Sequence, residues 1–173
     1  NTLAEYVLCP QVILLLSWAS HHSARRSSQK HYYIEGHLHE WSDLNDTRTI
    51  FWVIRADSDN PGFLLGDDEV YHFHSSHTQY SPSVRKFWHG THSSEYVRSG
   101  NLSINGTKNI VGTSTLMNSS LSTLSIVSLR TSGDVEASRF GIDRHLSQRL
   151  WKGELGELLL SPIPLNVDQI NEV

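Results

Sequence analysis

The chain has 173 residues, with 14 Lys and Arg against 18 Asp and Glu and a formal net charge of −4. That length fits one domain (residues 1–173), large enough to bury a core without a disulfide or metal staple. Charged residues make up only 18% and show no basic excess, which argues against a charge-driven binder of nucleic acid or anionic lipid.

The single cysteine, Cys9, excludes an internal disulfide and any multi-thiolate metal site, and reads as a small buried hydrophobe. It lies in the apolar run Tyr6–Trp18. The run is short of the roughly 20 residues a membrane helix needs, so no membrane insertion is expected. Small residues follow it, as after the core of a secretory signal, but no basic residue precedes it. We read Val12–Leu16 as a buried strand entered at Pro10. Ala19–Lys30 carries Arg25, Arg26 and Lys30 among serines. It reads as a solvated loop or, functionally, as a contact patch for an anionic polymer.

Helical periodicity is scarce from there on. Thr49–Arg55 (TIFWVIR) is β-branched and aromatic, a strand by composition. Asp57–Gly62 (DSDNPG) reads as a turn, Phe63–Leu65 as an apolar stretch and Gly66–Asp68 as another turn. Val70–His74 alternates, placing Tyr71 and Phe73 on one face and His72 and His74 on the other. Val84–His89 and Glu95–Arg98 are expected to continue the sheet. Leu102–Ile104 and Lys108–Val111 flank Asn105-Gly106, the pair a type I′ hairpin turn requires. Leu121–Arg130 and Glu154–Ser161 are the late strands. Asn166 is placed to cap a tail helix over Val167–Val173, with Asp168 in its first turn. Short strands between turn clusters imply an all-β sandwich or barrel.

Residues Asp46 to Val173 resemble the concanavalin A-like, laminin G-like jelly-roll superfamily, most of all its bacterial cell-surface branch. The resemblance lies in the order and spacing of TIFWVIRAD, GFLLGDDEVYHFH, NLSINGTKN, LSIVSLRTSGDVEASRFGIDR and the closing WKGELGELLLSPIPLNVDQINEV. It implies a two-sheet antiparallel β-sandwich (jelly roll) with a short C-terminal helix. The implied function is a non-catalytic extracellular or cell-surface module for recognition or adhesion, which binds a glycan or a surface protein. Residues 1–45 match the pattern poorly. Ser161-Pro162-Ile163-Pro164 stands where the family carries a Tyr-Asp pair, and its prolines end the last strand near Leu160. An alternative is a structural subunit that self-associates through sheet edges into a surface filament or layer.

The superfamily also contains glycoside hydrolases, which need two carboxylates across the scissile bond. Their Glu-x-Asp-x-x-Glu and Glu-x-Asp-x-Glu patterns are absent. Glu154 and Glu157 are three apart and so point to opposite faces of a regular strand. The motifs HExxH and GxSxG, a P-loop and a dinucleotide fingerprint are absent as well. An enzyme is therefore the least favoured reading, and no cofactor is required.

Eleven histidines include the pairs His37/His39, His72/His74 and His89/His92. On a regular strand, His72 and His74 would share a face and could share a metal. Gly66 followed by His72-x-His74 also resembles the start of the cupin metal motif, but Thr78 and Gln79 stand where that motif has Glu. Asp57, Asp59 and Asn60 can offer oxygen ligands to Ca²⁺ in a turn, although no EF-hand closes there. For a sugar, the candidate platforms are Trp88 first, then Tyr96 and Trp41, with Tyr80 and Trp151 behind them. Asn45, Asn101, Asn105 and Asn118 open N-x-Ser/Thr sequons, which would carry glycans in a eukaryotic secretory product.

Overall fold

The structure, a computed structural model, describes residues 14–17, 40–56, 62–67, 72–75, 86–141 and 151–172. Its strands are β1 (Leu14–Ser17), β2 (Glu40–Ala56), β3 (Leu65–Gly66), β4 (Asn101–Ile104), β5 (Thr107–Ile110), β6 (Ser125–Phe140) and β7 (Gly153–Ser161). Three short helices complete it: α1 (Glu95–Arg98), α2 (Met117–Ser120) and α3 (Val167–Glu172).

All strand pairs are antiparallel and join into one seven-stranded sheet, ordered β1-β7-β2-β6-β4-β5, with β3 beside the far end of β6. The chain is thus mostly antiparallel β. The β-branched and aromatic run predicted as a strand lies at the sheet's centre. Trp52 sits opposite Val127 of β6 on one side and Leu158 of β7 on the other. Ile50, Trp52 and Ile54 alternate onto one face and are fully buried. Each such side chain contributes about 1.5–3 kcal/mol by leaving water.

Among the described residues, no second sheet covers that face. The core is completed by Leu64, Phe73, Phe87, Trp88, Val97, Met117 and Leu121, which come from irregular segments and the two short helices α1 and α2. Three strand expectations are corrected here. His72–Ser75, the described part of the Val70–His74 stretch and its successor, turns instead of running as a strand. Its carbonyls serve the next segment: His74 accepts from His89 N (2.7 Å) and His72 from Ser94 N (3.1 Å). In Val84–His89, Lys86 makes one isolated bridge to Leu116 and the chain then bends. Glu95–Arg98 is helical, because Ser94 caps it through its side chain, Glu95 opens it and Arg98 closes it.

The β2–β6 ladder carries a large irregularity. Between Thr49↔Arg130 and Thr47↔Val135, β2 advances two residues while β6 advances five. The Thr131 hydroxyl fastens the extra length by donating to the carbonyls of Thr47 (3.4 Å) and Arg48 (3.2 Å). On the other side of β2, Glu157 faces Val53 and Leu155 faces Ile54, so Gly156 is left over as a bulge. The bulge reverses one expectation. Glu154 and Glu157 oppose Arg55 and Val53, which are two apart on β2, so both glutamates lie on the same side of the sheet.

The Asn105-Gly106 turn is as expected, with φ of 48° and 78°. Asn105 Oδ1 accepts from Ile126 N (2.9 Å), pinning the hairpin to β6. At the other end, β7 stops at Ser161 before two prolines. Thr49 Oγ1 then holds the departing chain, donating to the Ile163 carbonyl (2.7 Å) and accepting from Leu165 N (3.0 Å). Arg130 donates to the Leu165 carbonyl at 3.4 Å. The tail helix is capped as predicted: Asn166 Oδ1 accepts from Asp168 N and Gln169 N, both at 3.0 Å. Gln169 returns a bond to Asn166 N (2.9 Å), completing a capping box.

Candidate functional site

The segment from Lys86 to Gly100 carries Trp88, Tyr96 and the His89/His92 pair. It begins with two aromatic residues expected to point in opposite directions. Because the chain bends there, both point inward: Phe87 is fully buried and Trp88 is 1% exposed. The Trp88 ring meets Phe73 edge-on (centroids 6.2 Å apart) and lies against Gly112, where an added Cβ would fall 2.2 Å from Trp88 Cδ1. Trp88 therefore offers no face to a sugar, which corrects its first rank among the platforms.

Tyr96 takes its place. Val97 anchors α1 in the core, so its neighbour Tyr96 projects outward and is 49% exposed. One side of the ring rests on Gly133, inside the β6 irregularity: a Cβ there would come within 2.6–2.9 Å of the Tyr96 ring carbons. Glycine is what lets the ring lie this close to the strand. The Ser132 hydroxyl donates to the Tyr96 carbonyl (3.4 Å), and Asp134 pairs with Arg48 at 3.3 Å. The result is a half-exposed aromatic ring braced against Gly133, with the Ser132 hydroxyl on its main-chain carbonyl.

The other platforms separate clearly. Trp151 is buried, edge-on to Phe140, and Trp52 is buried in the sheet, both as core residues. Trp41 lies on β2, but its side chain falls outside the described residues, as does all of Tyr80. Asn45 and Asn101 are exposed on β2 and β4. Asn105 uses its side chain to hold its hairpin, with Nδ2 donating to Ser125 Oγ (3.3 Å). Asn118 lies on α2.

Between Trp88 and Tyr96 the chain brings three imidazoles together. The His89 ring centroid lies 4.4 Å from that of His92 and 5.5 Å from that of His74, and His74 lies 5.7 Å from His92. His74 is buried and also packs against Phe63 (5.2 Å). The expected His72/His74 pair on one strand face is replaced by a turn in which the His72 ring meets Phe73 instead. Burial holds the His72 pKa below its ordinary value, opposed by the nearby Asp67 carboxylate. Its buried Nδ1 makes no hydrogen bond.

Distances between these rings are close to the ~5 Å that three imidazoles around one zinc would show, given Zn–N bonds of about 2 Å. The hydrogen bonding points elsewhere. His89 Nδ1 accepts from Thr91 N and His92 N, both at 3.1 Å. With its lone pair there committed, a neutral ring carries its proton on Nε2, where a metal would need a lone pair. Among the described residues no three His, Cys, Asp or Glu side chains are grouped to hold a metal. Asp57, Asp59, Asn60, His37 and His39 lie outside the described residues.

Two features of this site escaped the sequence reading. One is α1, although Ser94, Glu95 and Arg98 in succession with Gly100 beyond them make a complete short-helix signature. The other is the brace under Tyr96, since the contact between position 96 and position 133 has no local signal. No family model matches the chain, and neither a curated protein nor a solved structure matches it.

Proposed function

We propose that the chain is a non-catalytic recognition module of the laminin G-like kind, acting outside the cell or at its surface and binding a glycan through Tyr96. The observation that carries this reading is the ring itself: half exposed and braced from behind by Gly133. A pyranose presents an apolar face to such a ring and hydroxyls to its border. The order of β2, the Asn-Gly hairpin, β6, β7 and the tail helix supports the family reading. That reading takes the buried Phe73, Phe87 and Trp88, which belong to no strand, as part of the packing a second sheet would otherwise supply.

Catalysis is not favoured: Glu154 shares a face with Glu157 but is engaged by Arg55 at 2.5 Å, and that ion pair is half exposed. Self-assembly through β5 is opposed by the edge strand itself. It carries Lys108, and Asn109 takes a left-handed φ of 59°, both of which blunt an edge.

A glycan array probed with the wild type, Tyr96→Ala and Tyr96→Trp tests the reading. Covering the exposed ring face contributes about 1–2 kcal/mol, so Tyr96→Ala should weaken binding about 5- to 30-fold and Tyr96→Trp should retain it. Wild-type binding that Tyr96→Ala leaves unchanged refutes the site. An array that stays silent refutes the glycan reading.

A further inference from the structure

The turn that leads into α1 is built around an imidazole nitrogen that accepts hydrogen bonds. His89 Nδ1 accepts the main-chain N–H groups of the residues two and three positions on. The Thr91 hydroxyl lies 3.2 Å from the same nitrogen. This is the bonding of a helix N-cap or Asx turn, with an imidazole in place of a carboxamide oxygen. The turn closes when the His89 carbonyl accepts from Ser93 N (3.4 Å) and Ser93 Oγ (2.5 Å). Ser93, buried, receives the Arg98 guanidinium on its carbonyl, and Ser94 caps α1. His89 thus begins a connected series of bonds that ends on α1, the helix that carries Tyr96.

We propose that His89 is a pH-gated positioning residue: its neutral side chain caps the 90–93 turn and sets α1, and protonation releases both. A protonated ring carries N–H at both nitrogens. Nδ1 would then turn a donor toward two donors, losing both bonds. Among the described residues, the rings of His74 and His92 pack against that of His89. Of the charged side chains, Arg98 donates to the Ser93 carbonyl, and the Asp67 carboxylate acts on His72, whose own carbonyl holds Ser94 N. An ordinary histidine titrates near pH 6.5, inside the range that extracellular and endosomal surroundings span.

The consequence for Tyr96 rests on the recognition reading above, whereas the capping switch does not. The test is therefore read first without any glycan. Imidazole ¹⁵N spectra at pH 7.5 should show His89 as the Nε2–H tautomer, and a proton on Nδ1 overturns the proposal. Between pH 7.5 and 5, amide exchange at Thr91 and His92, corrected for intrinsic rates, should lose about tenfold protection as the two bonds break. His89→Asn places an acceptor oxygen where Nδ1 stands but cannot titrate. It should keep the protection flat across that range, while His89→Ala should lack it at both ends.

Wild-type protection that does not change with pH overturns the switch. So does His89→Asn following the wild-type curve, which would assign the titration to His74 or His92. If the exchange switches as expected while the glycan array stays silent, the recognition reading fails and the switch stands.

Discussion

Placing one methyl group at Gly112 tests the packing that removes Trp88 from the surface. An alanine Cβ there would lie 2.2 Å from Trp88 Cδ1, 2.5 Å from Nε1 and 3.1 Å from Cγ. Carbon atoms settle at about 3.5–4.0 Å, so the two groups must separate by more than 1 Å. Neither can do so easily. Trp88 is 1% exposed and pressed against Phe73 and Phe87, and its main-chain N–H donates to the Gly112 carbonyl at 3.0 Å. Overpacking costs about 1–3 kcal/mol and the hydrogen bond about 1 kcal/mol more, so Gly112→Ala should destabilise by about 3 kcal/mol. In a domain of this size that lowers the Tm by roughly 6–12 °C. The assay is urea unfolding of a double-mutant cycle with Trp88→Leu, which removes the indole the methyl strikes. In the Trp88→Leu background the same glycine substitution should cost under about 1 kcal/mol, giving a coupling of at least about 2 kcal/mol. The φ at Gly112 is not left-handed, so without the clash an alanine would stabilise by about 0.4–1 kcal/mol. A neutral or stabilising Gly112→Ala, or an equal cost in both backgrounds, would refute the buried placement of Trp88.

Three further outcomes follow from positions already described. Gly153→Ala would push a Cβ to 2.0 Å from the Arg55 carbonyl oxygen inside the β2–β7 ladder, whereas Gly156→Ala meets Val53 at no less than 3.2 Å. Unfolding curves should rank Gly153→Ala as much the worse of the two, with Gly156→Ala costing about 1 kcal/mol. Asn166→Ala removes both accepted bonds of the tail cap and should cost about 1 kcal/mol and speed amide exchange at Asp168 and Gln169, while Asn166→Asp retains protection. Because burial lowers the His72 pKa, its neutral form contributes stability that is complete above the ordinary histidine value and lost as pH falls through the lowered one. Asp67 favours the charged ring, so Asp67→Asn should steepen the loss of stability between pH 7 and 5. A slope unchanged from wild type in unfolding titrations would contradict the assigned pair.

What the sequence revealed depended on whether a segment's own residues determine its conformation. Thr49–Arg55 and Glu154–Ser161 bury enough apolar surface to be strands in any fold with a sheet, and Asn105-Gly106 allows few turns but the one found. Asn166 likewise carries its helix start in its own side chain. Phe87 and Trp88 misled because alternation assumes a regular strand, and only the approach of Gly112 and Phe73 shows that both rings are enclosed. The polar stretch from Thr131 to Glu136 has no strand signal, yet it belongs to β6 because distant carbonyls at Thr47 and Arg48 hold it. Glu154 and Glu157 were misassigned by a single leftover glycine. Each of these depends on partners more than ten residues away in sequence.

The clasp at Thr49 has a mechanical meaning. β1 runs antiparallel to β7 with Leu14 opposite Leu160, so tension applied ahead of Leu14 and beyond Ser161 acts on the same end of that pair. Antiparallel neighbours loaded at one end part rung by rung, each rung meeting the force alone, where a sheared pair would meet it with all its rungs at once. The next pair, β7 with β2, opens at Thr49↔Ser161, where the Thr49 hydroxyl and Arg130 grip the tail. Under such tension, this small knot of three hydrogen bonds is the latch on the sheet's seam. Replacing Thr49 with valine would leave the sheet's shape intact while lowering the force at which it begins to peel.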